Sequence, residues 1–180
     1  MQSLRGQLLI AGPALWDPNF RRTVVLIGHH DDEGAVGVVL NRSLEVPVSE
    51  VVPPLAELVA PDEPLFAGGP VEPGGIVVLA DFSDPSRAEV LALDSIGFLP
   101  PETDGNIAAA IRRARVFTGY AGWEGGQLDA EMAEGGWIVE PALPADVFHP
   151  EPSRLWDDVL RRKGRDFDLI RLMPVDPQLN

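Results

Sequence analysis

Residues 117–137 read FTGYAGWEGGQLDAEMAEGGW, a stretch in which six glycines and two tryptophans surround a short acidic segment. Glycine gives up side-chain packing and costs backbone entropy on folding, so its density beside large rings requires a reason. Two explanations are open: the chain turns sharply beneath a packed ring, or it offers bare backbone to a ligand. Packing is preferred, because a short helix after Gly126 would bring Leu128 or Met132 against Trp123.

Segments on both sides of this stretch have the composition of β-strands, with many β-branched residues. The predicted strands are QLLIAGP (7–13), TVVLIGHH (23–30), AVGVVLNR (35–42), LFAGGPV (65–71), GIVVLA (75–80), EVLALDSIGFL (89–99), RVFTGY (115–120) and GWIVEPA (136–142). The acidic link DDEG (31–34) ends in glycine and predicts a hairpin between the second and third strands.

Helices are predicted at VSEVVPPLAELV (48–59), DGNIAAAIRRA (104–114), QLDAEMAE (127–134) and RLWDDVLRRKG (154–164). Ser49 is the N-cap candidate of the first helix, which Pro53 and Pro54 would interrupt. The second begins with an acidic residue and ends with arginines, as the helix dipole favours. Ser153 is the N-cap candidate of the last helix, and Gly164 would end it.

Strands outnumber helices and mostly neighbour each other along the chain, which predicts an α+β protein rather than alternating βαβ units. A chain of 180 residues suits one domain, whose core would bury about 70% of the unfolded surface. Prolines and glycines are spread along the chain instead of forming a linker. We therefore predict a single domain over residues 1–172 and a mobile C-terminal tail (173–180), which carries two prolines and no pattern.

Composition argues against several classes of function. The chain has no cysteine, which removes disulfides, thiolate metal sites and cysteine nucleophiles and fits a reducing compartment. No segment approaches the ~20 apolar residues of a membrane span, and the first apolar run is too short for a signal peptide. We therefore predict a cytoplasmic protein without a membrane partner. The net charge of −14 opposes direct binding of nucleic acid, whose phosphates attract lysine and arginine.

Several motifs together resemble the YqgE/AlgH family of bacterial proteins. They are LLIAGPALWDPNFRRTVVLIGHHDDEGAVGVVLNR (8–42), FAGGPV (66–71), the stretch 117–137 and LWDDVLRRKG (155–164). The order and spacing of DPNF, GAVGVVLNR and GYAGWEGGQLDAE make this match specific. Two positions depart from the family pattern: Ser43 stands where proline is usual, and Asp129 stands where glutamate is usual. The shorter carboxylate weakens any role that needs the reach of glutamate.

The resemblance implies a compact α+β fold with a coiled, partly split and mostly antiparallel β-sheet flanked by helices. It implies no reaction, because the family is poorly characterised. Its AlgH branch is labelled a transcriptional regulator, with no recognised DNA-binding motif behind the label. Combined with the acidic charge, this label favours regulation that is indirect, through a ligand or a protein partner, over the reading of base edges.

One candidate anion site lies at the start of the predicted helix 127–134. Gly125 and Gly126 would leave backbone N–H groups pointing outward at the positive end of the helix, an arrangement that suits phosphate or carboxylate. Gly122, Trp123 and Gln127 belong to the same candidate ligand-binding surface. Carboxylates of the helix itself would compete with such a ligand, which favours the structural interpretation.

The remaining candidate ligand-binding residues come from the motifs DPNF, HH, NR and GGP, and they are Asp17, Asn19, His30, Asn41, Arg42, Gly68 and Gly69. Asp17 precedes a proline, which is typical of an Asx turn. Arg42 follows an apolar strand, from which it would hold an anion through two parallel hydrogen bonds. Equally, it would pair with Asp17 or Glu72 as a structural clamp.

The motif HHDDE (29–33) raises the question of a metal site, since imidazole and carboxylate both bind divalent ions. On a strand, His29 and Asp31 would share one face, while His30 and Asp32 share the other. A site would need ligands from elsewhere, and His149 is the only other histidine. A solvated hairpin end is therefore preferred, and we predict neither a metal nor a cofactor.

Three functions follow as hypotheses. The first is a non-enzymatic binding or regulatory domain for a small anionic ligand or a protein partner. The second is a metal-assisted hydrolytic enzyme in which Asp17, His30 and Arg42 converge, although no P-loop and no G-x-S-x-G motif is present. The third is a transcriptional regulator that acts indirectly. Burial of Trp123 together with a shallow, polar surface would favour a protein partner.

Overall fold

The structure is a computed structural model that describes residues 2–174. Within that range, ten strands form one sheet. The strands are β1 (Gln7–Ala11), β2 (Val24–Asp31), β3 (Gly34–Val39), β4 (Ser43–Pro47), β5 (Pro64–Ala67), β6 (Val71–Phe82), β7 (Val90–Leu93), β8 (Ile96–Phe98), β9 (Ile111–Glu124) and β10 (Trp137–Pro141). The α-helices are α1 (Val48–Val51), α2 (Gln127–Ala133), α3 (Pro144–Val147), α4 (Leu155–Lys163) and α5 (Asp168–Leu172). Short 3₁₀ helices are Pro53–Leu58, Pro85–Arg87, Ile107–Ala110, Pro152–Arg154 and Arg165–Phe167.

The sheet is coiled and partly split. Its main path runs β10-β1-β2-β3-β9-β6-β8-β7, and every pair on this path is antiparallel. A side branch leaves the path where β5 runs parallel to β9 and carries β4 on its far side. At the far end β7 returns against β2, so the strands from β2 to β7 along the path curl into a barrel-like unit. This arrangement confirms the predicted α+β class and its single domain.

The main core fills the inside of the barrel-like unit and the space beneath α4. Its members include the fully buried side chains of Leu26, Val38, Leu79, Ile96 and Phe117. From α4, the buried residues Leu155, Trp156, Val159 and Leu160 cover this core. Gly164, at a φ of 135°, ends α4 as predicted. Ser153 does not cap the helix, because residues Pro152–Arg154 form a 3₁₀ turn that leads directly into it.

The predicted helix 104–114 is wrong. Only Ile107–Ala110 are helical, as a 3₁₀ turn, and β9 begins at Ile111. Residues 111–118 pair with β6, while Ala114 and Val116 face a second core cluster with Phe82. Strand pairing and this burial override the helix propensity of the alanines.

The segment 48–59 is helical in two pieces, α1 and the 3₁₀ helix Pro53–Leu58. Ser49 lies inside α1, and Pro47 occupies the N-cap position without a side-chain hydrogen bond, so the predicted cap is wrong. The sequence patterns also missed β4 and α5. Of the predicted tail, Met173 and Pro174 are described, whereas 175–180 lie outside the described residues. Among the described residues, no helix has the length and hydrophobicity to cross a membrane.

Candidate functional site

The segment Asp17–Arg22, which we call the DPNF loop, is irregular backbone held in place by side chains. Asp17 Oδ1 accepts a hydrogen bond from the Asn19 N–H at 2.8 Å, which is the predicted Asx turn. The Asp17 carbonyl accepts from the amides of Phe20 at 3.0 Å and Arg21 at 2.9 Å. The hydroxyl of Thr23 donates to the Phe20 carbonyl at 2.6 Å. The loop is therefore a defined turn, and its backbone carbonyls become acceptors for other side chains.

Arg42 is the principal clamp of the DPNF loop. Its guanidinium donates to the carbonyls of Pro18 at 2.9 Å, Arg21 at 3.2 Å and Asn19. Burial lowers the pKa of Arg42, the Asp17 carboxylate partly offsets this effect, and the charge of Arg21 adds to it. The group still carries its charge at neutral pH. The clamp that the sequence suggested is present, but its acceptors are carbonyl oxygens rather than the carboxylates of Asp17 or Glu72.

Asn41 closes the other end of the loop. Its Oδ1 accepts from the Val24 amide at 2.9 Å, and its Nδ2 donates to the Arg22 carbonyl at 2.8 Å. Arg22 has a φ of 54°, in the left-handed region that side chains rarely adopt. Its guanidinium lies over the Trp156 ring at 4.8 Å. Asn41 and Trp156 thus hold a residue whose backbone conformation costs energy.

Phe20 connects the DPNF loop to the glycine-rich stretch. Its ring stacks on Trp123 at a centroid distance of 5.9 Å and meets the edge of Trp137 at 5.6 Å. Glu131 binds both indoles, because its Oε2 accepts from Trp123 at 3.0 Å and from Trp137 at 2.8 Å. Trp123 is 6% exposed and packs with Leu128, as expected. This aromatic cluster explains why the tryptophans stand beside the acidic segment.

Side chains of the protein itself crowd the predicted anion site at α2. The Gln127 side chain accepts from the Glu124 amide at 3.0 Å and donates to Glu131 at 3.0 Å. A Cβ at Gly125 would lie 2.6 Å from the Asp32 carbonyl oxygen, so this glycine permits a close backbone approach. Gly126 is the N-cap of a helix with only seven residues. A ligand role for these residues stays a prediction.

Two glycine segments cross at close range beside the loop. Gly119 has a φ of 67°, and a Cβ there would lie 2.4 Å from the Gly69 carbonyl oxygen. In return, a Cβ at Gly68 would lie 2.3 Å from the Gly119 carbonyl oxygen. Gly122 differs, because its φ is not left-handed and a Cβ there would make only ordinary contacts at 3.6 Å. The glycines of GYAGW therefore do not share one structural role.

His30 lies apart from the other predicted residues. It is buried, its Nδ1 accepts from the Leu4 amide at 3.1 Å, and its carbonyl accepts from the Ser3 hydroxyl at 3.0 Å. The predicted solvated hairpin end is therefore correct for His29, whose Nε2 lies 2.7 Å from Asp31 Oδ2. It is wrong for His30, which is buried. Within residues 2–174, no group of three or more histidine, aspartate or glutamate side chains could hold a metal ion.

Of the twelve predicted ligand-binding residues, three line one small cavity. This loop cavity has a volume of about 240 Å³ and contains Asn19, Arg42 and Gly69 together with Val39 and two prolines. Of the remaining residues, Asp17 and Asn41 support the loop, Trp123 belongs to the aromatic cluster and Gly68 to the glycine crossing, while His30 lies apart from all of them.

A different surface is accessible on β9. One edge of β9 pairs with β6 over residues 111–118. The other edge pairs with β5 only at Phe117 and Thr118, and with β3 only at residues 121–124. Among the described residues, no strand lies along this other edge between Ile111 and Val116. We call this segment the open edge. The Thr118 carbonyl accepts from Gly68 on the same side, so by alternation Ala114 directs its peptide groups outward. Arg112 lies at an irregularity of the register, because Arg113 pairs with Asp81 but Ile111 pairs with Phe82.

An edge cavity of about 450 Å³ lies beside the open edge. Leu58, Val59 and Ala60 line one wall, and Phe148 lines the other. The Arg113 guanidinium lies over the Phe148 ring at 4.1 Å. Arg115 is buried and binds Glu63 at 3.1 Å and the Val147 and His149 carbonyls at 3.1 and 2.7 Å. Burial lowers the pKa of Arg115, and the Glu63 charge opposes this shift.

The sequence patterns did not indicate the open edge, because the segment was predicted to be helical. One feature of the sequence does indicate a longer strand. The β-branched and aromatic residues of RVFTGY (115–120) are preceded by Ile111, and arginines stand at the alternate positions 113 and 115.

Comparison with known proteins gives a consistent result over nearly the whole chain. A family described as AlgH-like matches residues 8–168. A UPF0301 protein of Streptomyces coelicolor is 42% identical over 190 residues, which cover 100% of this chain and 97% of the relative. A UPF0301 protein of Mycobacterium tuberculosis is 38% identical over 181 residues, which cover 97% of this chain and 90% of the relative.

Two solved structures are similar in fold. A crystal structure of a Corynebacterium diphtheriae protein has a TM-score of 0.84 at 30% identity, covering 96% of this chain and 93% of that one. The solution structure of the AlgH protein from Pseudomonas aeruginosa has a TM-score of 0.71 at 31% identity, covering 96% and 95%. These matches confirm the resemblance to the YqgE/AlgH family seen in the sequence motifs. The chain belongs to the AlgH-like family.

Proposed function

We propose that this chain is a non-enzymatic, cytoplasmic protein-binding domain that pairs with an extended segment of a partner protein at the open edge of β9. The observation that carries the proposal is the unpaired run of β9 between Ile111 and Val116, with an accessible cavity beside it. Exposed strand edges attract other chains, and many peptide-binding domains add a strand to such an edge.

The open edge has the dimensions and the chemistry for strand addition. A strand of this length extends about 20 Å, and the outward peptide groups of Ala114 would supply hydrogen bonds to it. Side chains of the added strand would enter the edge cavity, whose lining combines apolar residues such as Val59 and Phe148 with charged residues such as Glu57 and Arg113. Main-chain bonds of this kind give affinity, and the cavity gives selectivity for alternate side chains.

A second copy of the same chain is a poorer occupant of this edge. In an antiparallel pair of two β9 edges, Arg112 and Arg113 of one copy would lie near their counterparts in the other. Like charges opposite each other on neighbouring strands destabilise the pair. Exposed arginines are therefore consistent with an edge that avoids self-association.

The hydrolytic alternative requires Asp17, His30 and Arg42 to converge. Arg42 lies beside the start of β2 through its contacts with the DPNF loop, whereas His30 lies near the end of β2. Val24 and His30 are separated by about 20 Å along an extended strand. In addition, the Nδ1 atom of His30 already accepts a backbone hydrogen bond. The buried Trp123 meets one of the two conditions that the sequence set for a protein partner, the other being a shallow, polar surface.

Direct binding of DNA has little support from the basic residues Arg161, Arg162 and Lys163 at the end of α4. Arg161 binds Asp157 and Asp158, Arg162 binds Asp146, and Lys163 binds Glu140. Because these charges are already paired on an acidic protein, they would gain little from phosphate contacts. A role in transcription would then be indirect, through the bound partner.

Selection from a displayed library of peptides tests the proposal. Ala114→Pro removes an N–H that faces away from β6, and proline is tolerated at a strand edge on this side. Ala114→Gly is the matched control, since it changes the same side chain but keeps the N–H. Circular dichroism and thermal melting check that both variants fold.

We expect selected peptides to bind the unaltered chain and Ala114→Gly, to lose binding to Ala114→Pro, and to protect the Ala114 amide of the unaltered chain from hydrogen exchange. If selected peptides bind the folded Ala114→Pro chain as tightly as the unaltered chain, or leave the Ala114 amide of the unaltered chain unprotected, the open edge is not the binding site. A library that yields no peptide dependent on this amide also contradicts the proposal.

A small anionic ligand in the loop cavity is the second candidate, favoured by the meeting of Asn19, Arg42 and Gly69 at one cavity. Titration with inorganic phosphate, followed by the amide resonances of Asn19 and Gly69, tests it. Asn19→Asp should abolish saturable shifts by adding a negative charge, and Asn106→Asp is the control at an exposed site. Shifts that are absent, or that persist in Asn19→Asp, contradict this candidate.

A further inference from the structure

A second concave surface lies at one end of the barrel-like unit, away from the open edge. This mouth cavity has a volume of about 310 Å³ and an apolar wall made of Val36, Val38, Val77, Val90, Phe98 and Tyr120. Val38 belongs to the main core, on which Val77, Phe98 and Tyr120 pack. Val36 and Val90 are 41% and 36% exposed. The core itself therefore forms the floor of the cavity, and its entrance is open to solvent.

Gly28 sets the shape of the mouth cavity. It lies at an irregularity of β2 between Ile27 and His29, and a Cβ there would lie only 2.2 Å from Cε2 of Phe98. The missing side chain lets the Phe98 ring lie directly against β2. As a result, the cavity has an aromatic base rather than being filled by a side chain from β2. Mouths of β-barrels with an apolar wall and few polar groups are preferred sites for small ligands.

Glu89, His29 and Tyr120 also line the mouth cavity, but the surface that they present to it is apolar. Glu89 and His29 are exposed at its edge, where Glu89 supplies a negative charge and the His29 Nε2 lies 2.7 Å from Asp31 Oδ2. Among the described residues, no basic side chain lies within ion-pair distance of Glu89, which leaves its carboxylate available. The hydrogen bond from His29 lowers the pKa of Asp31, a nearby carboxylate that does not line the cavity. The net charge of −14 strengthens this negative potential.

We propose that the mouth cavity binds a small amphiphilic amine, whose apolar or aromatic body enters the cavity while its ammonium group stays at the rim beside Glu89. The aromatic face of Tyr120 would add attraction for the cation. A carboxylate on a ligand of the same size would meet Glu89 and be repelled. A neutral analogue would keep the apolar contacts but lose the charged hydrogen bond.

Three probes with the same phenyl body separate these cases: 2-phenylethylamine, 2-phenylethanol and 3-phenylpropionate. Tyr120 is the only tyrosine in the chain, so ring resonances of protein labelled at tyrosine report on this cavity alone. We expect saturable shifts of the Tyr120 ring, with the amine bound about fivefold more tightly than the alcohol and the carboxylate bound most weakly. Shifts that do not saturate with any probe overturn the proposal.

Two variants and a matched control test where the probes bind and whether the Glu89 carboxylate causes the preference for the amine. Glu89→Gln should bring the affinity for the amine down to that for the alcohol. Val36→Phe should weaken the binding of all three probes by filling the cavity. Ile76→Phe is the control, because Ile76 is also a β-branched strand residue with 41% exposure but lies outside the cavity wall.

The outcomes discriminate between the amine and its alternatives. Binding of the carboxylate as tightly as the amine, or an amine preference that survives in Glu89→Gln, contradicts the charge assignment. Equal weakening in Val36→Phe and Ile76→Phe contradicts the location. Should Val36→Phe fail to fold, Glu89→Gln still decides the matter, since its side chain lies on the exposed rim.

Discussion

The DPNF loop and the open edge of β9 both contain backbone polar groups that are not paired with a neighbouring strand. The two regions differ in whether side chains of the protein satisfy these groups. In the loop, the carbonyls of Pro18, Asn19 and Arg21 all accept from Arg42, and Asn41 bonds the backbone on both sides of Thr23. At the open edge, no neighbouring strand among residues 2–174 pairs with Ala114 on the outward side. The loop is internally satisfied, and the edge is available.

This difference indicates that the conspicuous sequence motifs and the accessible binding surfaces of this fold are in different places. The rare motifs DPNF, NR and GYAGW stabilise irregular backbone, because a chain without regular pairing needs side chains to satisfy its polar groups. The accessible surfaces, in contrast, consist of common residues in ordinary strands. If the comparison holds, substitutions in the loop region should reduce stability far more than substitutions at the open edge.

The glycine crossing should give the largest effect. Gly119→Val forces a β-branched residue to a φ of 67° and places its Cβ 2.4 Å from the Gly69 carbonyl oxygen. We expect a loss of about 3 kcal/mol or more in the free energy of unfolding, measured by urea denaturation. Gly122→Val is the matched control and should cost less than about 1 kcal/mol. Equal losses in both variants would mean that the crossing is not the reason for these glycines.

The acceptor shared by the two indoles should give the next largest effect. Glu131→Ala leaves the buried N–H groups of Trp123 and Trp137 without their carboxylate, which should cost about 2–3 kcal/mol. Glu131→Gln keeps one carbonyl oxygen as an acceptor and should cost less. Tryptophan fluorescence during denaturation measures both. A Glu131→Ala chain as stable as the parent would show that the aromatic cluster does not depend on this acceptor.

Much of the fold was predictable from the sequence, because strands such as QLLIA and VVLIG carry a strong local pattern. The helix predicted at 104–114 failed because local propensity cannot register that β6 pairs with this segment from a distant part of the chain. For the same reason, the sequence could not predict the mouth cavity, because its lining residues come from six strands that only the tertiary structure brings together. The motif residues were identifiable, but their contacts with carbonyls and indoles depend on the tertiary structure.

Arg42 should give an intermediate effect that depends on geometry rather than charge. Arg42→Lys keeps the positive charge but loses the planar fork that reaches three carbonyls. We expect a loss of about 1–2 kcal/mol, because carbonyls of the loop lose their donors, together with faster hydrogen exchange at the Phe20 and Arg21 amides. A lysine variant with unchanged stability and exchange would contradict the clamp and would leave Arg42 available for an anion.

The open edge should give the smallest effect. Arg113 is half exposed, and its contacts are a loose ion pair with Asp81 at 3.9 Å and the cation–π contact with Phe148 at 4.1 Å. Exposed contacts of these kinds contribute about 1 kcal/mol or less, so Arg113→Gln should leave the unfolding midpoint in urea nearly unchanged. The backbone of residue 113 still pairs with Asp81 of β6 in this variant. A loss above about 2 kcal/mol would show that the edge is part of the stabilising core, and the contrast with the DPNF loop would then fail.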